Sequence, residues 1–551
     1  MTANFKINRD KYLTHLSVER QNTLPLILNN RLAKGSIAYN TLFDKVAYTD
    51  GIQWRDIDIS DYDAFVSTTG EEGTYPSISA AISDGKRSIF VKEGTYVETS
   101  PIDLPSGIHI VGEKTRTTIL VAVGLTAPFI ANNTASGNIE TVGTVSISIG
   151  GTTVTGVGTV FTRLLVGDTI FLGGSEYIIA SITDDFNLTI SEVYRGRALS
   201  GIKYIALNLK SEIRLSNMTI VNSPILPSTD VGISITQING IQFTNIIVSG
   251  FTNNFLIQLC GIMLFKNISS RSSTLDGIIL EDTLLGLIIE SEILNCGGSG
   301  ISLTGNLYKT SNIIFDSCFL GNNGSRGIFI QNGSDIINFT NSIIQYNVSD
   351  GVRCDNSTSR ILISQCNILG NAYGVNHSGS LNTIVNCIIS ENNSGGILTG
   401  DEALVMGNNI SNNTGIGIDI GTDQDNSITE NIISGNTLDG IKITGNTQSN
   451  TITGNAIFDN GGTGINLSGN AAGDNTISSN AIHHNADSGI IVKSDDNVIV
   501  GNRCDGNTSF GVSVEMNASR TIVSANNLRG NGTNFSDAGA GTITTGANIT
   551  I

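Results

Sequence analysis

The chain is short of charge, aromatic rings and proline. Only 14% of its 551 residues are Asp, Glu, Lys or Arg, 6% are aromatic, and there is a single tryptophan, Trp54. About a quarter of an ordinary globular chain is charged, so this surface has to be built from Asn, Ser, Thr and Gly. The charges sum to −18. That sign does not suit phosphate backbone, which is held by a basic stripe, so no nucleic-acid partner is expected. No run of about 18 apolar residues is present, and no membrane span is expected. The opening MTANFKINRDKYLTHL is charged throughout, which gives no secretory signal and suggests synthesis in a reducing cytosol. The 7 cysteines include no CxxC pair, so neither a disulfide framework nor a zinc site is expected, and no metal or cofactor with it.

What is abundant is asparagine and glycine in a repeating frame. Apolar residues make up 39% of the chain, too many for disorder. From residue 277 a glycine precedes an apolar-x-apolar triplet at regular intervals: GIILE (277), GISLT (300), GIFIQ (327), GVRCD (351), GVNHS (374), GILTG (396), GIDIG (417), GIKIT (440), GINLS (464), GIIVK (489) and GVSVE (511). The period is 21–27 residues, and looser copies reach back to about residue 211, giving about fourteen rungs. Alternation such as Ile465–Asn466–Leu467 is the period of strands. No single rung can bury its apolar face, so rungs stack, about 4.8 Å apart, and share one core. Two asparagine columns, Asn408, Asn431, Asn455, Asn480, Asn502 and Asn413, Asn436, Asn460, Asn485, Asn507, are expected at turns, tolerating left-handed φ and forming amide ladders. The registering glycines are expected to supply positive φ at the next corner.

These repeats make residues 206–551 resemble a right-handed parallel β-helix of the pectate-lyase-like class. Upstream, YPSISAAISDG (75–85) reads as a short amphipathic helix, and RSIFVKEGTYVE (87–98) and SGIHIVGE (106–113) read as strands. Together they resemble the opening cap of such helices, including phage tailspikes, and place cap and first rungs in 61–140. Residues 141–205 break the repeat with five or six alternating strands and Gly-rich turns. They read as a small inserted β-barrel or sandwich, similar to modules of phage tail and fibre proteins. In residues 1–60 a helix is expected before Pro25. A two-strand pattern around TLFD, running from KGSIAYN to Trp54, resembles a short β module of viral fibre proteins and is read as an attachment segment.

Chemistry is harder to find. One edge collects Asp401, Glu402, Asp423 and Asp425, then Asp474, Asp495 and Asp496. Asp401, Glu402, Asp423 and Asp425 are the catalytic candidates, because polysaccharide-cleaving enzymes work with paired carboxylates; the edge also reads as a cation site, and turn formation explains the same residues. Cys354 and His377 share an inward column, which favours a buried thiol over a nucleophile. Cys318, Cys366 and Cys387 fall in the first asparagine column and Cys296 in the second, as small substitutes for Asn. Adjacent residues on a strand point to opposite faces, so His483 and His484 are not expected to share a metal. Arg353, Asp419 and Lys442 form an outward column, with Asp419 and Lys442 expected to pair weakly.

The fold class expected is therefore all-β, a parallel β-helix with an N-terminal attachment segment and a small inserted β module. The resemblance implies a virion-associated spike or fibre protein, assembled in the host cytoplasm. Its implied partners are other virion proteins through the N-terminal segment, host glycans, and two further copies in a parallel homotrimer. A carbohydrate-active lyase, hydrolase or epimerase is the enzymatic alternative, and a bacterial surface adhesin the third reading.

Overall fold

The computed structural model describes residues 20–21, 37–40, 45–49, 54–56, 62–71, 73–132, 139–209, 212–421, 424–445, 447–468, 473–544 and 548–550. They fall into two units, residues 1–63 and 64–551. In the first, Ile37–Asn40 and Lys45–Thr49 pair antiparallel with Ile37 opposite Tyr48, and Trp54–Asp56 adds to Lys45–Thr49. The helix expected before Pro25 lies largely outside the described residues. Its two described members, Arg20 and Gln21, are strand, paired with Tyr39 and Asn40.

The second unit is a solenoid of parallel strands. Its large sheet has 30 strands and a second sheet has 16, each paired in register with the coil before and after. Ile441, Ile465 and Ile490 are successive partners, as are Ile443, Leu467 and Val492. All six side chains are fully buried. A buried aliphatic side chain of this size contributes about 1.5–3 kcal/mol relative to exposure, and the register repeats the gain at every coil. Rings stack in the same way: Phe243 lies 4.9 Å from Phe265, and Phe315 lies 4.6 Å from Phe339. The single α-helix among the described residues, Ile78–Ser83, begins at Ser77, whose hydroxyl accepts from the Ala80 amide. It buries Ile78 and Ala81 where the first coil, Ala64–Val66, would otherwise expose its interior.

Three asparagine ladders mark the corners of the regular coils, one more than the repeat suggested. The third runs Asn426, Asn450, Asn475, Asn497, each amide donating to the next at 3.0 Å. Within a coil the third ladder precedes the first by five residues (Asn450, Asn455), and the first precedes the second by five (Asn455, Asn460). The remaining arc varies: Asn413 to Asn426 is thirteen residues, Asn436 to Asn450 fourteen, Asn460 to Asn475 fifteen and Asn485 to Asn497 twelve. The cysteines take ladder places as expected, the Cys387 amide donating to Asn408 Oδ1 at 2.9 Å and that of Cys296 to Asn323 Oδ1 at 3.1 Å.

Two details of the corners differ from expectation. The left-handed residue is the one before the ladder Asn: Glu430, Gly454, Asp459, Ser479 and His484 all have positive φ, and the ladder asparagines do not. Nor do the registering glycines have positive φ. Each is small for want of room. A Cβ on Gly464 would collide with Ile482 and sit 2.7 Å from the Gly489 carbonyl and 3.1 Å from the Asn485 amide nitrogen.

Residues 139–207 form a separate antiparallel set of eight strands. Thr144–Ile147 pairs with Thr153–Val157 and with Leu199–Ile202, and Ser175–Asp184 bridges Thr169–Leu172 to Asn187–Ile190. Leu199–Ile202 is at one end of the strand order, yet only two residues separate it from Ile205–Leu207 near the other, so the sheet curls round its own core of Val145, Val154, Phe161, Ile170, Leu188 and Tyr204. The parallel ladder closes beneath it, Ile108–Val111 pairing directly with Ile213–Ser216. Phe171, Ile205 and Leu207 on its outside pack on Leu284 of the solenoid.

Candidate functional site

The acidic edge is turn structure. Glu402, Asp425, Asp474 and Asp496 all occupy the left-handed position before the third ladder column, with φ of 52–62° shared by Ser449 between them. Asp401 Oδ1 accepts the Gln424 amide at 3.0 Å and Asp495 Oδ1 the Ser519 amide at 2.8 Å. Arg520 binds Asp496 through Nε at 2.6 Å, and that contact holds the Asp496 carboxyl below its ordinary range. Glu402 and Asp425 are stacked on neighbouring coils. Asp423 lies outside the described residues.

Cys354 and His377 are partners on adjacent coils, each 1% exposed. Burial pushes the Cys354 thiol up to about 12 and His377 down to about 4. His377 Nδ1 accepts the Gly400 amide at 2.9 Å and also meets Asn382; its Nε2 has no partner. The imidazole is neutral and the thiol protonated, so this is core, not a nucleophile.

One set of polar side chains that the ladders and core do not absorb lies on the outer face of the 16-stranded sheet. Alternation sends Arg353, Asn376, Leu398, Asp419, Lys442 and Asn466 outward in one column, one per coil. Beside it run Asp350, Tyr373 and Asp439. Asp350 Oδ2 accepts Asn376 Nδ2 at 3.1 Å and lies 3.7 Å from Arg353. Asp439 Oδ2 accepts Asn466 Nδ2 at 2.9 Å. Asp419 accepts from Thr444 at 3.3 Å, and no direct ion pair with Lys442 is formed among the described residues. Burial raises the Asp350 and Asp419 carboxyls above their ordinary range. Burial also raises the Tyr373 phenol, with help from Asp419 and Asp350. Asn376 Oδ1, Asn466 Oδ1 and Arg326 Nε find no protein partner, each such buried atom costing about 1–3 kcal/mol. The outward column was visible in the sequence; the flanking Asp350 and Asp439 were not, because they sit in the loop before the strand, where alternation says nothing, and Tyr373 opens its strand at the edge of the repeat.

A groove of about 390 Å³ lies on the outside of the large sheet between His109, Arg214, Ser216, Gln242 and Thr244. Its one permanent charge, Arg214, is held at 2.8 Å by Glu212.

A family model described as the right-handed beta helix region matches residues 204–368 and 332–473. The solenoid is a right-handed parallel β-helix. No curated protein sequence matches the chain. Among solved structures, this β-helix protein is similar to the Gp54 tailspike of Acinetobacter baumannii bacteriophage AP22, solved in complex with A. baumannii capsular saccharide. The identity is 12% over 80% of this chain and 75% of that one, with a TM-score of 0.39. It is also similar to the tailspike gp61 of Pseudomonas phage phi297, at 13% identity over 84% of this chain and 72% of that one, with a TM-score of 0.35. The A-module of the Azotobacter vinelandii mannuronan C-5 epimerase AlgE6 is similar at 12% identity over 85% of this chain and 93% of that one, with a TM-score of 0.29. Likeness at this level speaks to neither substrate nor assembly. No helix among the described residues is long and apolar enough to cross a membrane.

Proposed function

We propose that the protein is a virion-associated spike component, similar to tailspikes, that lays an extended host-surface polysaccharide along the outer face of its 16-stranded sheet. The observation that carries this reading is the column Arg353, Asn376, Asp419, Lys442 and Asn466, which offers a polar side chain at nearly every coil step. A coil step of about 4.8 Å is close to the length of one sugar residue. Successive sugars can thus meet successive coils. The first 60 residues would join the particle, and a parallel homotrimer would bring three such faces together; light scattering tests that state, a monomer at micromolar concentration opposing it.

The test is co-sedimentation of the full chain with capsular and cell-wall polysaccharides. Arg353→Ala and Asp419→Ala are expected to weaken retention about tenfold or more each, the loss of a hydrogen bond to a charged group being about 1.5–3 kcal/mol. Retention unchanged in both variants would remove the site.

The enzymatic alternative rests on the raised carboxyls of Asp350 and Asp419. They are three coils apart, about 14 Å along the axis, beyond the roughly 5–9.5 Å between the paired carboxyls of glycosidases. This geometry favours holding the polymer over cutting it. New reducing ends or unsaturated products, abolished by Asp350→Asn or Asp419→Asn, would reverse that order.

A further inference from the structure

His483 and His484 do not point to opposite faces. The strand Ala481–His483 ends at the first of them, and His484 is left-handed, with a φ of 55°. The turn swings its ring back beside its neighbour, and the two Nδ1 atoms stand 3.1 Å apart. Both rings are held. His483 stacks on Phe458 of the previous coil, centroids 5.0 Å apart and planes within 4°. The His484 ring lies over Gly506 of the next coil, where a Cβ would sit 2.8 Å from Cδ2 and 3.0 Å from Nε2. The rings themselves are nearly perpendicular, at 86°.

We propose that these two imidazoles form a binding site for a divalent transition-metal ion, taken through both Nδ1 atoms. Nitrogens 3.1 Å apart, at the usual metal–nitrogen distance of about 2.0–2.1 Å, subtend about 100° at the ion. That lies between octahedral and tetrahedral angles. Imidazole selects Zn, Cu and Ni over the oxygen-seeking Mg and Ca. The proton that one Nδ1 now shares with the other moves to Nε2 of the same ring when the metal arrives. A coordinated imidazole is a neutral ligand. Among the described residues no set of three His, Cys, Asp or Glu side chains converges on one ion, so water completes the shell. Asp505, the strand neighbour of His483, is held by Arg503 at 3.0 Å and is not counted as a ligand. The site is exposed and open on its outer side, which suits an ion that also takes a ligand from outside the chain.

The probe is Cu²⁺ titrated into untagged full-length protein at neutral pH and read by electron paramagnetic resonance, with Ni²⁺ binding followed by calorimetry. The expected result is one ion per chain, with hyperfine coupling from two nitrogens. His483→Gln and His484→Gln should each weaken binding about tenfold or more and reduce the coupling to one nitrogen, while His109→Gln leaves it unchanged. The far-ultraviolet circular dichroism of each variant should match that of the parent. No saturable binding in the parent, or binding and coupling unaltered in both variants, overturns the proposal.

Discussion

Asn455 donates to Asn480 Oδ1 twice, through its side-chain Nδ2 at 3.0 Å and its main-chain N–H at 2.9 Å. Its own Oδ1 receives the same pair of bonds from Asn431, at 3.0 and 2.9 Å, and Nδ2 also reaches the Ile428 carbonyl at 2.9 Å. An amide has two donors and an oxygen with two lone pairs, and here all are used in a fully buried position.

Asn455→Ala should therefore destabilise the solenoid by roughly 2–4 kcal/mol, because it strands both buried donors of Asn431. Asn455→Asp keeps the acceptor and loses the donor to Asn480, with a buried charge or a raised pKa in exchange. Chemical denaturation should place the midpoint of either variant below that of the parent. An unchanged midpoint would mean the ladder is decorative.

Gly464 and Gly454 separate two reasons for glycine. Gly464→Ala should cost about 1–3 kcal/mol or more, since its Cβ is forced against backbone and Ile482. Gly454 has a φ of +68°, with nothing nearer its Cβ than Glu430 Cγ at 3.7 Å. Gly454→Ala should cost only the left-handed penalty of about 1–2 kcal/mol. Thermal unfolding of the pair checks the order, and equal losses would contradict it.

His377 makes stability depend on pH. Its imidazole titrates at about 4 when folded, against an ordinary 6.5, so between those values the unfolded chain binds the extra proton. Stability should fall as pH drops from about 6.5 towards 4, by roughly 3 kcal/mol at most. His377→Leu should flatten that part of the profile while leaving the decline from carboxylates. Denaturation midpoints across pH 4–7 measure both.

Replacing residues 141–204 by a short Gly-Ser linker should leave the solenoid folded, because Ile139 and Leu207 are already paired at the module's base and Ile108–Val111 already meets Ile213–Ser216. It should uncover Leu284, which is 2% exposed. The expected signature is an unchanged strand signal in circular dichroism with increased binding of an apolar dye. Loss of the strand signal would make the module part of the solenoid's folding unit.

The repeat was legible because burial imposes it: one Asn in each turn and one Gly before each apolar triplet recur wherever the coil is regular. The third ladder was hidden by the arc that precedes it, whose changing length breaks any fixed period. The reason for Gly464 could not be read either. A residue that must be small and one that must be left-handed are written with the same letter, and only the packing of Ile482 and Gly489 tells them apart. His483 and His484 were misplaced because alternation was carried one residue past the strand's end. The polar column at Arg353, Asp419 and Lys442 followed from alternation; at the acidic edge, turns and catalysis draw on the same side chains, and the sequence alone does not separate them.

The uneven arc between the second ladder and the third has a consequence for how such a chain can change. Two sides of every regular coil, from Asn450 to Asn455 to Asn460 and their counterparts, allow no residue to be added or removed without breaking an amide chain that runs through many coils. The third side already varies from twelve residues to fifteen over an undisturbed interior. It is an editable margin on a fixed chassis. New loops can be accepted there coil by coil, and because the polar column lies on that same side, what the molecule grips can diverge while what keeps it upright does not.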